Sequence, residues 1–204
     1  DGYGNVYPGA QIPFGGIQIS PDTDSRFYDA ASGYKYNHLT LMGFSLTHLS
    51  GTGIPDLGDF LFIPGTGEMK LEPGTHEDPD QGYRSRYSHD KEWASPNYYA
   101  VELADYGVKA EMTSGVRSGM FRFTYPESDN AFIMIDMNHT LWQSCEWSNL
   151  RMINDSTITG YKLVKGWGPE RHVYFTATFS KKLTGLRFVP VSYTHLTLPT
   201  TSRV

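Results

Sequence analysis

The sequence predicts an all-β fold, an antiparallel β-sandwich with long Gly/Pro-rich loops. Three observations predict it. Short stretches alternating apolar and polar residues recur along the chain, turn residues separate them, and no window of about twelve residues carries the i, i+3, i+4, i+7 stripe of an amphipathic helix. Many short strands at spacings of roughly 8–15 residues, with no helices between them, favour an antiparallel sandwich over a parallel α/β sheet.

Up to about Gly82 the chain is punctuated by Pro8-Gly, Pro13-Phe-Gly-Gly, Ser50-Gly-Thr-Gly, Pro64-Gly and Pro73-Gly. Proline presets φ and glycine accepts positive φ, so long loops are expected here. Gly43–His48, Phe60–Ile63 and Tyr83–Tyr87 are the strand candidates of this half. Beyond it, Tyr98–Leu103 and Val108–Thr113 flank Ala104-Asp-Tyr-Gly107 and predict a hairpin. Met120–Tyr125 and Val173–Phe179 alternate with period two, as a strand with one covered face must. Ala131–Met137 is nearly all apolar and predicts a central strand covered on both faces. Thr157–Val164 and Leu186–Val189 complete the set. With no internal repeat and no linker, residues 1–190 read as one domain.

The chain has 204 residues, 17 Lys+Arg against 22 Asp+Glu, and a net charge of −5. Its longest basic run is the Lys181-Lys182 pair, which disfavours binding through phosphate neutralisation. The longest apolar run, Ala131–Ile135, is far short of the ~20 residues of a membrane-spanning helix. One cysteine, Cys145, excludes an internal disulfide framework and reads as a small buried apolar residue. Aromatic residues make up 14%, and rings with polar tips suit strands, interfaces and sugar-facing grooves alike.

Few motifs carry chemistry. The seven histidines include no His-x-x-x-His pair, so no zinc site is expected, and Gly-x-Ser-x-Gly is absent. Gly51-Thr-Gly53 and Gly65-Thr-Gly67 fail the dinucleotide and phosphate-loop patterns. Pro21-Asp-Thr-Asp-Ser25 offers two carboxylates and two hydroxyls but lacks the downstream Glu of a calcium loop; turn capping explains it as well. Asp56 and Asp59, three apart in a Gly-flanked loop, are either an acid/base pair for glycoside hydrolysis or turn caps. Phe27–Tyr36 gathers four rings, an acid and a hydroxyl, which suits a sugar platform and strand-edge packing equally.

The chain opens on Asp1-Gly-Tyr-Gly, without an initiator Met or a signal segment, and is expected to be cut there. Val191–Thr200 resembles one reading frame of a transposase-type sequencing adapter, so residues 191–204 are expected to be a non-native tail.

Tyr7–Gly16, Ile19–Thr23, Ser32-Gly-Tyr34, Gly43-Phe-Ser-Leu-Thr-His-Leu-Ser-Gly-Thr-Gly53 and Asp56-Leu-Gly-Asp59 together resemble the N-terminal domain of glycoside hydrolase family 92. The resemblance continues through Ala94–Tyr99, Asp105–Glu111, Gly160-Tyr and Val173-Tyr-Phe to about Leu186. It implies a supersandwich-like domain of a calcium-dependent, inverting exo-α-mannosidase, mostly bacterial and acting outside the cytoplasm on mannose-containing glycans. It also implies a partner (α/α)-barrel in the same polypeptide that carries the catalytic carboxylates and most calcium ligands. No catalytic residue and no metal ligand is then expected in this chain, and the isolated chain is expected to be inactive.

By motif match, the residues expected to line the sugar pocket are Phe14, Gly15, Tyr28, Asp29, His48 and Gly53. Asp29 is the expected sugar hydrogen-bonder and Tyr28 its platform; His48 and Gly53 read more as scaffold. Tyr28 stands where relatives carry Trp, Ala30 and Ala31 where Trp and Cys are frequent, Leu46 for a frequent His, and Ile54-Pro55 for Cys-Gly or Cys-Ala. These departures leave linkage preference open. The alternative is a stand-alone carbohydrate-binding or structural sandwich.

Overall fold

The structure, a computed structural model, describes residues 4–26, 30–51 and 53–189. The chain falls into two compact units, Asp1–Gln143 and Ser144–Val204. The first holds β1 (Ala10–Gln11), β2 (Gln18–Asp22), β3 (Thr40–Leu41), β4 (Gly43–Ser45), β5 (Leu61–Thr66), β6 (Ser85–Arg86), β7 (Glu92–Ser95), β8 (Tyr98–Leu103), β9 (Val108–Ser114), β10 (Gly119–Thr124) and β11 (Ala131–Asp136). The second holds β12 (Ser144–Asn154), β13 (Thr157–Lys165) and β14 (Arg171–Thr178). Helical structure among the described residues is limited to 3-10 turns at Pro79–Gln81 and His89–Lys91.

In the first unit one antiparallel sheet runs β1-β2-β4-β5-β11 and a second runs β10-β9-β8-β7, with β3 and β6 paired separately. The two larger sheets pack face to face. Ala10, Ile19 and Phe44 from the first meet Tyr99, Val101, Leu103, Val108, Ala110 and Met112 from the second, all buried. Alternation explains which side chains arrive there: Tyr99, Val101 and Leu103 share one face of β8 and pair with Met112, Ala110 and Val108 of β9. Ring pairs bridge the layers, Phe44 with Phe123 at 6.4 Å and Phe62 with Phe121 at 5.2 Å between centroids. On the reverse face of β5, Leu61 and Ile63 join Met42 and Tyr83 in a smaller apolar cluster.

The predicted hairpin is present, with Gly107 at φ +63° in its loop. The expected central strand over 131–137 is instead β11, at the end of its sheet and half-buried. An apolar run records that a strand has two greasy faces, not which neighbours reach them; here β5 is the strand buried on both sides. Phe132 lies over Gly65, where a Cβ would come within 2.4 Å of its ring. Leu186–Val189 forms no strand.

The second unit is a meander in which β13 pairs with both neighbours. Its strand β12 is long, yet has no clean sequence signature, because register shifts between Cys145 and Trp147 and between Met152 and Asn154 break the period of two. Cys145 is half-buried rather than buried, since it sits at that first irregularity. Trp147, Tyr161 and Tyr174 pack as tilted rings across one face, at 5.0 and 4.7 Å between neighbouring centroids.

Phe44 is fully buried between the sheets, so Phe44→Ala is expected to cost about 3–5 kcal/mol. Met120→Ala, at an exposed position of β10, is expected to stay within about 0.5 kcal/mol. Urea unfolding of the two variants checks this, and equal midpoints would contradict the packing described.

Candidate functional site

Strand β2 carries Ser20 and Asp22 on one face, beside Ser45 and Gly43 of β4. Asp22 is fully buried, and its two oxygens part to different partners. His48 Nε2 lies 2.7 Å from Oδ1, and His139 Nε2 lies 2.8 Å from Oδ2. The other nitrogen of His48, Nδ1, donates to the Gln18 carbonyl at 2.7 Å. A carbonyl and a carboxylate both only accept, so the two His48 bonds form together when both ring nitrogens carry hydrogens. Burial alone would raise the Asp22 carboxyl. The His48 charge and the hydrogen bonds from His139 and His48 outweigh it and hold the group far below the usual carboxylate range.

This clamp joins three stretches that are far apart in sequence. It reaches β2, the turn after β4, and the turn after β11, where Asp136 Oδ1 accepts from the amides of Asn138 and His139. Gly33, at φ +86°, presses on it, and a Cβ there would fall 2.2 Å from Asp22 Oδ1. Any other residue at 33 would meet both strain and a clash.

Two residues on, Asp24 anchors a second polar cluster. Arg26 donates to it through Nη2 at 2.6 Å and Nε at 2.8 Å, and His76 Nε2 lies 3.2 Å away. Burial would raise this carboxyl too; His76 and Arg26 hold it well below its ordinary value. His76 Nδ1 meets Thr40 Oγ1 at 2.9 Å, and His38 Nδ1 meets Thr23 Oγ1 at 3.0 Å. Buried Arg84 donates to the Thr23 carbonyl at 2.7 Å.

Together these bonds close the ends of the loop that spans residues 24–33. At one end Asp24 holds Arg26; at the other the Gly33 carbonyl accepts from the Thr23 amide at 2.6 Å, while Ser32 donates to the Gly4 carbonyl. Tyr28 and Asp29, the expected platform and sugar-binder, lie on this loop but outside the described residues, as does the tail 191–204. Phe14 projects a fully exposed ring from a backbone at φ +60°, and Gly15 closes that turn on the Ile12 carbonyl. Gly53, at φ +69°, faces open space. His48 is a buried member of the clamp, both ring nitrogens engaged.

Asp56 and Asp59 take the capping role. Asp59 Oδ2 accepts from Thr47 Oγ1 at 2.7 Å, and Asp56 Oδ1 accepts from the Leu57 amide at 2.6 Å. With no exposed surface, Asp22 cannot pass a proton to a sugar. Sequence reasoning missed His38, His76 and His139, and no local signal marks them: His139 lies 117 residues from the carboxylate it meets.

The acid dependence of stability follows. Asp22 and Asp24 titrate lower folded than unfolded, so their contribution is complete above the unfolded value of about 4 and is lost as pH falls towards the folded values. Asp22→Asn is expected to cost about 3–5 kcal/mol at neutral pH and to flatten the acid limb of the stability curve. Denaturant titrations between about pH 5 and 2 measure this, and an unchanged slope would contradict it.

Residues 1–201 match the family described as the glycosyl hydrolase family 92 N-terminal domain. Among solved structures, one described as the GH92 family glycosyl hydrolase CcMan5 superposes with a TM-score of 0.70 at 27% identity, over 86% of this chain and 24% of that one. The chain therefore spans about a quarter of that protein's length. No curated protein matches. The ordered motifs, the sandwich and the matched span agree: this chain belongs to the N-terminal domain family of the family 92 glycosyl hydrolases.

Proposed function

We propose that this domain forms one wall of the mannose pocket in an exported bacterial exo-α-mannosidase that cleaves terminal α-mannosides with inversion. The observation that supports it best is the closure of the segment's two ends: Asp24 holds Arg26, and the Gly33 carbonyl accepts from the Thr23 amide, so the stretch of chain that contains Tyr28 and Asp29 leaves from and returns to fixed points. Membership of a glycosidase family supports a sugar as the occupant.

Inverting hydrolysis needs one carboxyl to protonate the leaving oxygen and a second to activate water. In this reading both belong to the remainder of the parent protein. The domain's part is to orient the sugar: Asp29 accepts from hydroxyls, Tyr28 covers an apolar face of the ring, and Phe14 and Gly53 border the site.

Calcium, which the reading assigns to the parent, favours six to eight oxygen ligands. The buried acids described here do not fit it, because Asp22 faces two imidazoles and Asp24 faces a guanidinium and an imidazole. The ion is accordingly assigned to the rest of the polypeptide, and no step is routed through it.

The purified chain is expected to release no mannose from an α-mannoside, and measurable release would overturn the assignment of catalysis to the missing part. In a parent protein containing the second domain, Asp29→Ala is expected to lower kcat/KM by tenfold or more, on the order of the cost of an unmade sugar hydrogen bond. An unaltered kcat/KM would remove Asp29 from the pocket.

A further inference from the structure

We propose that Asp24, His38 and His76 bind one divalent transition-metal ion, with zinc the best fit. One ligand atom from each of the three residues lies within 4.8 Å of the others. Two imidazoles and one carboxylate suit zinc and its neighbours in the first transition row; calcium and magnesium prefer oxygen. Zinc binds nitrogen and oxygen at about 2.0–2.2 Å, which sets tetrahedral ligands about 3.4 Å apart. The Asp24 Oδ2 to His76 Nε2 distance of 3.2 Å already meets that spacing, and the ligand atom of His38 lies within 4.8 Å of both.

The hydrogen bonds behind the cluster are those that metal-bound histidines use, in which the nitrogen away from the ion is pinned by an oxygen. Thr40 Oγ1 pins Nδ1 of His76, and Thr23 Oγ1 pins Nδ1 of His38. Thr23 has the capacity for this: its oxygen also accepts from the Lys35 amide, and its hydrogen points to the Gly33 carbonyl. Without an ion, Nδ1 of His76 accepts, from Thr40 Oγ1 or Arg84 Nη1, and Nε2 donates to Asp24 Oδ2 at 3.2 Å; an ion on Nε2 would move the ring hydrogen to Nδ1, where Thr40 Oγ1 can accept it.

Two cations compete with the ion. Arg26 occupies Asp24, but its side chain is 65% exposed and can withdraw into water. Arg84 is fixed, with Nη1 3.4 Å from His76 Nδ1, and weakens any cation held there. Binding is therefore moderate, and it responds to Arg26 in a direction that a purely structural cluster does not produce.

The test is titration of the chain with Co²⁺, read by its visible absorption, followed by displacement with Zn²⁺. The expected result is one saturable site, with His76→Ala and Asp24→Asn each weakening it at least about tenfold. Arg26→Ala leaves the buried sandwich untouched, though it frees one end of the 24–33 loop, and is expected to tighten binding several-fold, which keeps the test decisive if the buried variants unfold. Absence of saturable binding up to millimolar metal, the same affinity in His76→Ala, or weaker binding in Arg26→Ala would each overturn the proposal.

Discussion

The carboxylate of Asp22, fully buried and shared between His48 and His139, is the interaction on which the loop side of this domain depends. A lone buried carboxylate is strongly disfavoured, and two imidazoles with paired hydrogen bonds reverse that. The consequence is geometric. Three segments distant in sequence converge on one atom pair, and each loop that leaves them starts from a fixed point.

The apolar sandwich and this polar clamp divide the task of specification. Burial of Phe44, Tyr99, Val101 and Met112 brings the two sheets together without direction. The clamp is directional, and misplacing either histidine leaves one oxygen of the buried Asp22 carboxylate without that hydrogen bond. Gly33, Asp24 and Thr23 then extend the constraint to the 24–33 loop, and Asp59 with Thr47 does the same for the turn before β5. A loop that is to hold a ligand requires this kind of base, because a contact set by the loop loses precision if the loop's ends move.

Much of the architecture was legible in the residues. Alternation located β10 and β14, the runs flanking Gly107 located β8 and β9 with the turn between them, and the candidate 157–164 fell within β13. Strands β1, β2, β3, β7 and β12 were not legible. The first four are short or polar, and in β12 two bulges erase the period. The run at β11 was read as a strand but placed at the sheet centre, because hydrophobicity reports the need for cover and not the neighbour that supplies it. For the site, the ordered motifs marked Asp22 and His48 as parts of one family pattern, yet not as partners. His139, His76 and His38 carried no local signal at all, since side chains joined over 117 or 52 residues leave no spacing to read.

The sequence by itself determined an all-β sandwich, its punctuated loops, and membership of a glycosidase family, because periodicity, turn chemistry and ordered motifs are local properties of a chain. Only the tertiary structure decided what its acids do. Asp22 became a buried clamp, Asp56 and Asp59 became turn caps, and Asp24 joined two histidines in one polar cluster. The role of a carboxylate depends on the charges and donors around it, and here those come from parts of the chain that only folding brings together.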